Sequence, residues 1–376
     1  MEKNILFVHL TSGIGGGTTC LYNTLSHINR KKFNPIVVYY ANHEYIDRIR
    51  SLKVEVIRVK KTFKYLGRSH FLSIVTEELP FALKLLLIII KKHIDVVHLN
   101  NDISRHTGSI IGAVLARKPI VITMRGSMGG YVSRISRALA KFVDQFICVS
   151  AYVRDDEIAF HVPPDRMGVV YDGIDLNRYQ CDYAQRRGST LKPIGYTVGI
   201  VGNLHRYKGH NIFIQAASDM IKTRDDINFV IVGKIVDEDY YRELTHLIQT
   251  LGIDKFLAFE GFVNNIPERL SQLDIFVHAS IIAESFGMVI CEAMAMELPV
   301  ISTNMGGPKE IITNNKDGLL IDAGKPEELA TAILRLLSDE ALRVRLGRNA
   351  RKTVEQKFDL QMTVTNLENL YEDVLT

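Results

Sequence analysis

Glu284 and Glu292 stand eight residues apart in AESFGMVICEAMAMELPVISTNMGG, residues 283–307, whose other residues are mostly apolar. A charge set among apolar residues costs free energy unless a partner offsets it, so both carboxylates are candidates for chemistry. The stretch reads as a loop, a helix over SFGMVICEAMAM, a buried strand PVISTN and a glycine turn. Glu284 then lies at the helix entrance, and Glu292 about 80° beyond two full turns along it, so the two face broadly one side and one end. A helix entrance presents unpaired backbone N–H groups and partial positive charge, which favour an anion such as a diphosphate. Ser285, Phe286, Gly287 and Met288 supply those amides, and the glycine lets a ligand come close. A nucleotide-sugar meets every part, with its diphosphate on the amides, its ribose hydroxyls on Glu292 and its sugar hydroxyls on Glu284. Read alone, Glu284 serves equally as a helix cap and Glu292 as the partner of a cation.

Three further segments add to the constellation. GNLHRYKGH, 202–210, follows a strand and places Arg206 and Lys208 just before a helical run. Arg binds two phosphate oxygens at once and Lys acts as a point charge; a solvated turn is the plain alternative. NMGGPKEII, 304–312, adds a glycine turn that can shape the same pocket. SGIGGGT, 12–18, follows the first strand and opens a helix; alone it is weak, because no acid on the next strand marks a ribose site. Gly15, Gly16 and Gly17 are placed to approach the diphosphate or an acceptor hydroxyl. In DGID, 172–175, Asp175 is expected to fix the chain by local hydrogen bonds rather than to react.

The elements that must position these residues alternate between short β-branched runs and helical patterns. NILFVHL, PIVVYY, VEVIRV, DVVHLN, PIVITM and DQFICVS form a first series; TVGIVG, NFVIVG, LAFEGFV, DIFVHAS, PVISTN and GLLIDA form a second. Such alternation predicts parallel βαβ units. The fold class is therefore α/β, with two Rossmann-like domains facing across a cleft and ligands beyond the strand carboxyl ends. The first domain is expected over 1–178 and the second over 190–357. The polar stretch 171–195 is read as the linker. Residues 358–376 form a helix that packs back on the first domain.

With 376 residues, 47% of them hydrophobic and 23% charged, each half has enough chain for its own core. Residues 1–180 hold 25 Lys and Arg against 15 Asp and Glu, and the remainder is net acidic. RVKKTFKYLGR, 58–68, has five cations and no acid, which suits an anionic membrane face or a phosphorylated acceptor, or a plain solvated surface. With no Trp and no recognisable binding motif, a nucleic-acid partner is not expected. Four scattered cysteines, Cys20, Cys148, Cys181 and Cys291, suggest reduced thiols. The start MEKNILFVHL lacks a basic leader with a cleavage site. A cytoplasmic protein is expected, with peripheral placement on the inner face of the membrane as an option. The apolar run 79–90 is too short to span a bilayer and reads as a buried or interfacial helix.

ESFGMVICE resembles the E-x7-E pattern of retaining GT-B glycosyltransferases, in particular the GT4 group. GNLHRYKGH, the glycine loop, DGID, PVISTNMGG and DGLLID extend the resemblance over essentially the whole chain, most strongly over 170–325. It implies transfer of a sugar from a nucleotide-sugar donor with retention of configuration, without a metal or other cofactor. Arg206 and Lys208 would neutralise the donor diphosphate. Glu284 and the amides of Phe286, Gly287 and Met288 would contact the sugar, and Glu292 would hold the ribose. The base would lie near Gly233, Lys234 and Val263. Two positions depart from the pattern. Asn203 stands where many members have Arg, and Arg125, after PIVITM, stands where many have a His that contacts the sugar. His98 is read as a core or supporting residue. The acceptor expected is a lipid-linked saccharide or glycolipid. A nucleotide-sugar epimerase of the same plan and a non-catalytic nucleotide-sugar-binding module are the rival readings.

Overall fold

A computed structural model describes residues 2–10, 15–40, 44–60, 74–126, 134–159, 162–180 and 195–376. The basic residues Lys61 and Lys64, Cys181, the first part of the glycine loop and residues 127–133 lie outside these. The chain divides into two compact units, Met1–Gly173 with Leu360–Thr376, and Ile174–Asp359. The passage between them falls at Gly173, ahead of the expected boundary at 178.

The first unit is built on a seven-stranded sheet. Its strands are β1 (Lys3–His9), β2 (Phe33–Tyr39), β3 (Glu55–Arg58), β4 (Val96–Asn100), β5 (Ile120–Met124), β6 (Gln145–Cys148) and β7 (Met167–Val169). Their order is β3-β2-β1-β4-β5-β6-β7, and every pairing is parallel. β4 and β5 are buried at all five positions, the signature of strands covered on both faces. β7 has no counterpart in the sequence reading. It is three half-buried residues with a glycine in the middle, too short for a pattern to register.

The second unit has six parallel strands, β8 (Tyr196–Val201), β9 (Ile227–Val232), β10 (Leu257–Gly261), β11 (Ile275–His278), β12 (Val300–Thr303) and β13 (Leu319–Ile321). Their order is β10-β9-β8-β11-β12-β13. In both sheets the strand order reverses beside the first strand of the unit, between β1 and β4 and between β8 and β11. A doubly wound sheet leaves a crevice at that point, beyond the strand carboxyl ends.

The helix Leu360–Leu375 belongs to the first unit. It buries Leu360, Val364, Leu367 and Tyr371 in the core that includes Phe7, Leu21, Leu25 and Phe33. Glu368 accepts a hydrogen bond from the Asn29 backbone N–H at 2.6 Å. Tyr371 is fully buried and its hydroxyl meets His98 Nδ1, while His98 Nε2 meets Thr123 Oγ1 at 2.7 Å. His98 is thus a core histidine. Burial, then the charge of Arg125, pushes its pKa down to about 3, so it stays neutral. The chain enters this helix past Gly173, where a Cβ would come within 2.5 Å of Leu360 Cα.

Tyr371→Phe deletes the hydroxyl and keeps the ring, leaving His98 Nδ1 buried without that partner. The variant is expected to lose about 1–3 kcal/mol of stability, seen as a lower unfolding midpoint of the first unit. An unchanged midpoint would show that the pair contributes nothing.

Candidate functional site

At the switch point of the second sheet, the turn after β8 is fastened to the end of β11. The turn Arg206–Lys208 closes on Gly209, whose φ of +72° is left-handed; a Cβ there would lie 1.9 Å from the Ala279 carbonyl oxygen. Only glycine fits so close an approach. The Tyr207 carbonyl accepts from the Ile281 N–H at 2.8 Å. These constraints carry Lys208 over Gly202 and bring its Nζ to 2.7 Å from Glu284 Oε1.

Glu284 is mostly buried. Its Oε1 also takes His278 Nε2 at 2.8 Å and the Ser280 hydroxyl, and none of these three contacts reaches Oε2. His278 ends β11, and its Nδ1 faces Ser302 Oγ of β12 at 3.0 Å. Burial alone would raise the Glu284 pKa. The charge and hydrogen bond of His278, then those of Lys208, more than reverse this and hold the carboxyl well below the usual range. Glu284 is therefore an anion throughout the physiological range.

The glycine turn of NMGG supports the same loop. The Gly307 N–H donates to the Glu284 carbonyl at 2.8 Å. Gly306 has φ +58°, and a Cβ there would meet that carbonyl at 2.5 Å. The helix expected over 285–296 begins at Met288 and runs to Ala295; no side chain caps it, and Gly287 precedes it with φ +114°. Phe286 is buried with its ring 5.5 Å from that of Phe358. Ser285 sits half-buried in the loop between Glu284 and Phe286.

Glu292 is held differently. It lies within the helix and is half-buried. Burial pushes its pKa up to about 7, a hydrogen bond from Tyr179 and the charge of Arg178 opposing only in part. The two carboxylates on the E-x7-E spacing thus have separate partners and opposite proton affinities. Asn203 Oδ1 accepts from the Lys234 N–H at 3.2 Å, tying the ends of β8 and β9 together. Gly233 packs against the Gly202 carbonyl, and Val263 lies half-buried just past β10. Arg206 does not converge with Lys208 on Glu284. Its guanidinium pairs with Glu243 at 2.6 and 2.8 Å and with Asp237 at 3.4 Å, on an exposed surface over the Tyr240 ring.

In the first unit, Gly16 and Gly17 open the helix Gly16–His27 and Gly15 precedes it. A Cβ on Gly17 would stand 3.1 Å from Arg125 Cδ. Arg125 is spoken for within its own unit: Nη1 lies 2.6 Å from both Asp172 oxygens and Nε donates to Asn100 Oδ1 at 3.1 Å. Asn100 meets His9 Nδ1 at 2.9 Å, and His9 Nε2 meets Thr18 Oγ1 at 3.3 Å. Asp175 makes the expected local bond, to the Asn177 N–H at 3.1 Å.

Sequence reasoning passed over His278, Ser280, Asp172 and His9. A histidine ending an apolar strand six residues before the first glutamate was the available sign for His278; Asp172 had no local sign, since its partner is 47 residues away. Among the described residues no group of three His, Cys, Asp or Glu could hold a metal ion. Cys20, Cys148 and Cys291 are buried thiols.

Glu292 binds its proton more tightly folded than unfolded. The resulting stability is fully present below pH 4.5 and is lost as pH rises through about 7. Glu292→Gln removes this dependence. Its unfolding free energy should match the wild type near pH 4 and exceed it at about pH 8, by on the order of 1–3 kcal/mol, with the unfolding midpoint moving the same way. Parallel midpoint profiles across that range would refute the assignment.

Residues 184–353 match the family described as Glycosyl transferases group 1, and residues 14–178 match Glycosyltransferase Family 4. The chain is 31% identical over 273 residues to spore coat protein SA of Bacillus subtilis, covering 67% of this chain and 72% of that one. It is 27% identical over 306 residues to the UDP-Gal:alpha-D-GlcNAc-diphosphoundecaprenol alpha-1,3-galactosyltransferase of Escherichia coli, covering 76% of this chain and 77% of that one. The fold is shared with Anabaena Alr3699/HepE, solved in complex with UDP and glucose, at a TM-score of 0.85 and 23% identity over 98% of this chain and 99% of that one. On these matches and on its two parallel-sheet units, the chain belongs to the group 1, GT4-type glycosyltransferases of the GT-B fold.

Proposed function

We propose that the protein transfers a sugar from a nucleotide-diphosphate-sugar to an acceptor with retention of configuration. The acceptor in this reading is a lipid-linked saccharide or glycolipid of cell-surface polysaccharide synthesis, met at the inner face of the membrane. The observation that carries it is the Lys208–Glu284 pair, a cation and an anion held at the switch point of the second sheet. The UDP of one structural neighbour and the UDP-Gal in the name of one relative make UDP-sugars the first donors to test.

The departing group is a nucleotide diphosphate, so the chain must meet negative charge as the bond to the sugar breaks. Lys208 exchanges Glu284 for a diphosphate oxygen, and the amides at Phe286, Gly287 and Met288 supply further donors. Glu284 keeps its charge through His278 and Ser280 and turns its carboxylate to the sugar hydroxyls. Ribose hydroxyls fall to Glu292, and the base to the region of Gly233, Lys234 and Val263. Arg206 reaches the diphosphate only by leaving Glu243 and Asp237. These groups answer the leaving charge without a metal, and the leaving phosphate takes the acceptor's proton, so no side chain acts as general base. Gly15, Gly16 and Gly17 approach the donor diphosphate or the acceptor hydroxyl, and Arg125 takes the position that contacts the donor sugar.

Lys208→Ala and Glu284→Gln should each lower kcat/KM for sugar transfer by about 10²–10³-fold. A donor present at a hundred times its Kd should stabilise the wild type by about 2.7 kcal/mol, and the shift should shrink in the Lys208 variant. UDP-, GDP- and ADP-sugars are compared first by thermal shift. Wild-type rates in either variant would sink the site assignment. Isomerisation of a donor without any acceptor, followed by NMR, would instead identify an epimerase.

A further inference from the structure

The helix Leu79–Lys91 has two apolar faces, and the fold uses one. Phe81, Ala82, Leu85 and Ile89 are buried. On the opposite side Leu79 is 40%, Leu83 56%, Leu87 66% and Ile90 59% exposed. At 100° per residue these four lie within about 80° of one another around the axis and extend about 17 Å along it. They form one stripe rather than scattered surface residues, which is the arrangement that needs explaining.

The surroundings are cationic on balance. Residues 79–94 contain Lys84, Lys91 and Lys92 and no carboxylate; of the two acids just before the helix, Glu78 is taken by the Gly108 N–H at 2.7 Å and Glu77 is half-buried. Lys84 and Lys91 are exposed and flank the stripe on the same side, seven residues apart. Lys92 pairs with Glu55 at 2.6 Å. The helix Thr107–Leu115 packs alongside, so close that a Cβ on Gly112 would meet the Ala82 carbonyl at 2.8 Å. It ends on Leu115, 56% exposed, followed by exposed Arg117, again with no carboxylate from 107 to 119.

We propose that the outer face of the helix Leu79–Lys91 docks on the surface of a bilayer that carries anionic headgroups. The stripe enters the boundary between headgroups and acyl chains, and Lys84 and Lys91 reach back to lipid phosphates along their own apolar stems. The helix lies flat. Thirteen residues make about 20 Å, short of the hydrocarbon thickness, and no described helix is long and apolar enough to cross a membrane. Charge complementarity selects the partner, because a lipid surface rich in phosphate matches a stripe beside which exposed Lys84, Lys91 and Arg117 outnumber the half-buried Glu77. This deepens the transferase reading by naming where a lipid-borne acceptor is met, and rests on that reading only for this purpose.

The test is co-sedimentation with vesicles of phosphatidylglycerol and phosphatidylcholine, and with phosphatidylcholine alone, with no sugar donor present. The wild type should bind the anionic vesicles and release with salt. Leu83→Gln/Leu87→Gln should weaken that binding by at least about ten-fold, with an unchanged unfolding midpoint because both positions are exposed. Lys84→Glu/Lys91→Glu should abolish the preference for anionic over neutral vesicles. The proposal falls if the leucine variant binds as the wild type does, or if the lysine variant keeps the preference. It also falls if the lipid-free wild type sediments as a dimer that the leucine variant splits, which would make the stripe an interface between two copies. Failure here leaves transfer to a soluble acceptor untouched, and loss of transfer in the Lys208 variant leaves vesicle binding untouched, so the two readings fail separately.

Discussion

Taking a carboxylate out of water is tolerable only where cations and hydrogen bonds replace the water it gives up. Glu284 meets that condition by gathering Lys208, His278 and Ser280 on a single oxygen. The donors come from the turn after β8, the end of β11 and the loop that follows it, so each of these must arrive at a set distance. Much of the local backbone follows from this. Gly209 lets the Lys208 turn press against the Ala279 carbonyl, Gly306 lets the turn after β12 lie against the Glu284 main chain, and Gly307 lets it lie against that of Ser285 and Phe286. A larger residue at any of the three would push one wall of the site outward. The polar cluster therefore depends on glycines that never touch it with a side chain.

Glu292 shows the opposite solution eight residues on. It too is drawn out of water, but Tyr179 and Arg178 compensate only partly, and its affinity for a proton rises. Two carboxylates on one short segment are thus separated in proton affinity by their surroundings alone, the division that lets neighbouring acids take different tasks. Glu284 holds a fixed negative charge against Lys208. Glu292 sits near the point of ionisation, where donors such as ribose hydroxyls, placed against its carboxylate, would favour the charged form.

Strands, helices and the spacing of the two acids were legible because each is a local pattern. Both faces of the central strands are covered, so they read as unbroken apolar runs, and the reversal of strand order follows from alternating βαβ units. What the sequence did not disclose is pairing across distance. Arg206 and Lys208 look equivalent in GNLHRYKGH, yet Lys208 turns inward to Glu284 while Arg206 turns outward to Glu243, 37 residues on. Phase within a three-residue turn decides this, and composition carries no phase. Asp172 was hidden for a related reason. DGID reads as a linker motif, and only the folded chain shows its first residue closing on Arg125. The C-terminal helix was legible as a helix; the hydroxyl of Tyr371 on His98 was not, since 273 residues separate them.

The first sheet solves the same problem with different residues. Beyond β1, β4 and β5, an unbroken chain of contacts runs from Asp172 through Arg125, Asn100 and His9 to Thr18 at the start of the helix Gly16–His27. Arg125 is largely withdrawn from water, which alone would lower its pKa; the charge of Asp172, with the contacts to Asp172 and Cys20, raises it above the usual value. The cation is fixed, and so is the geometry it imposes on the loop bearing Gly17. In both units the apolar strands stop at the switch point, and the residues just past them are polar, because there the main chain leaves the ladder and its surroundings are no longer hydrocarbon on both sides. A pair of opposite charges then anchors each end, Lys208 with Glu284 in one unit and Arg125 with Asp172 in the other. The two anchors differ in what they leave available. All three contacts of Glu284 fall on one oxygen, whereas both oxygens of Asp172 are taken by a single guanidinium nitrogen.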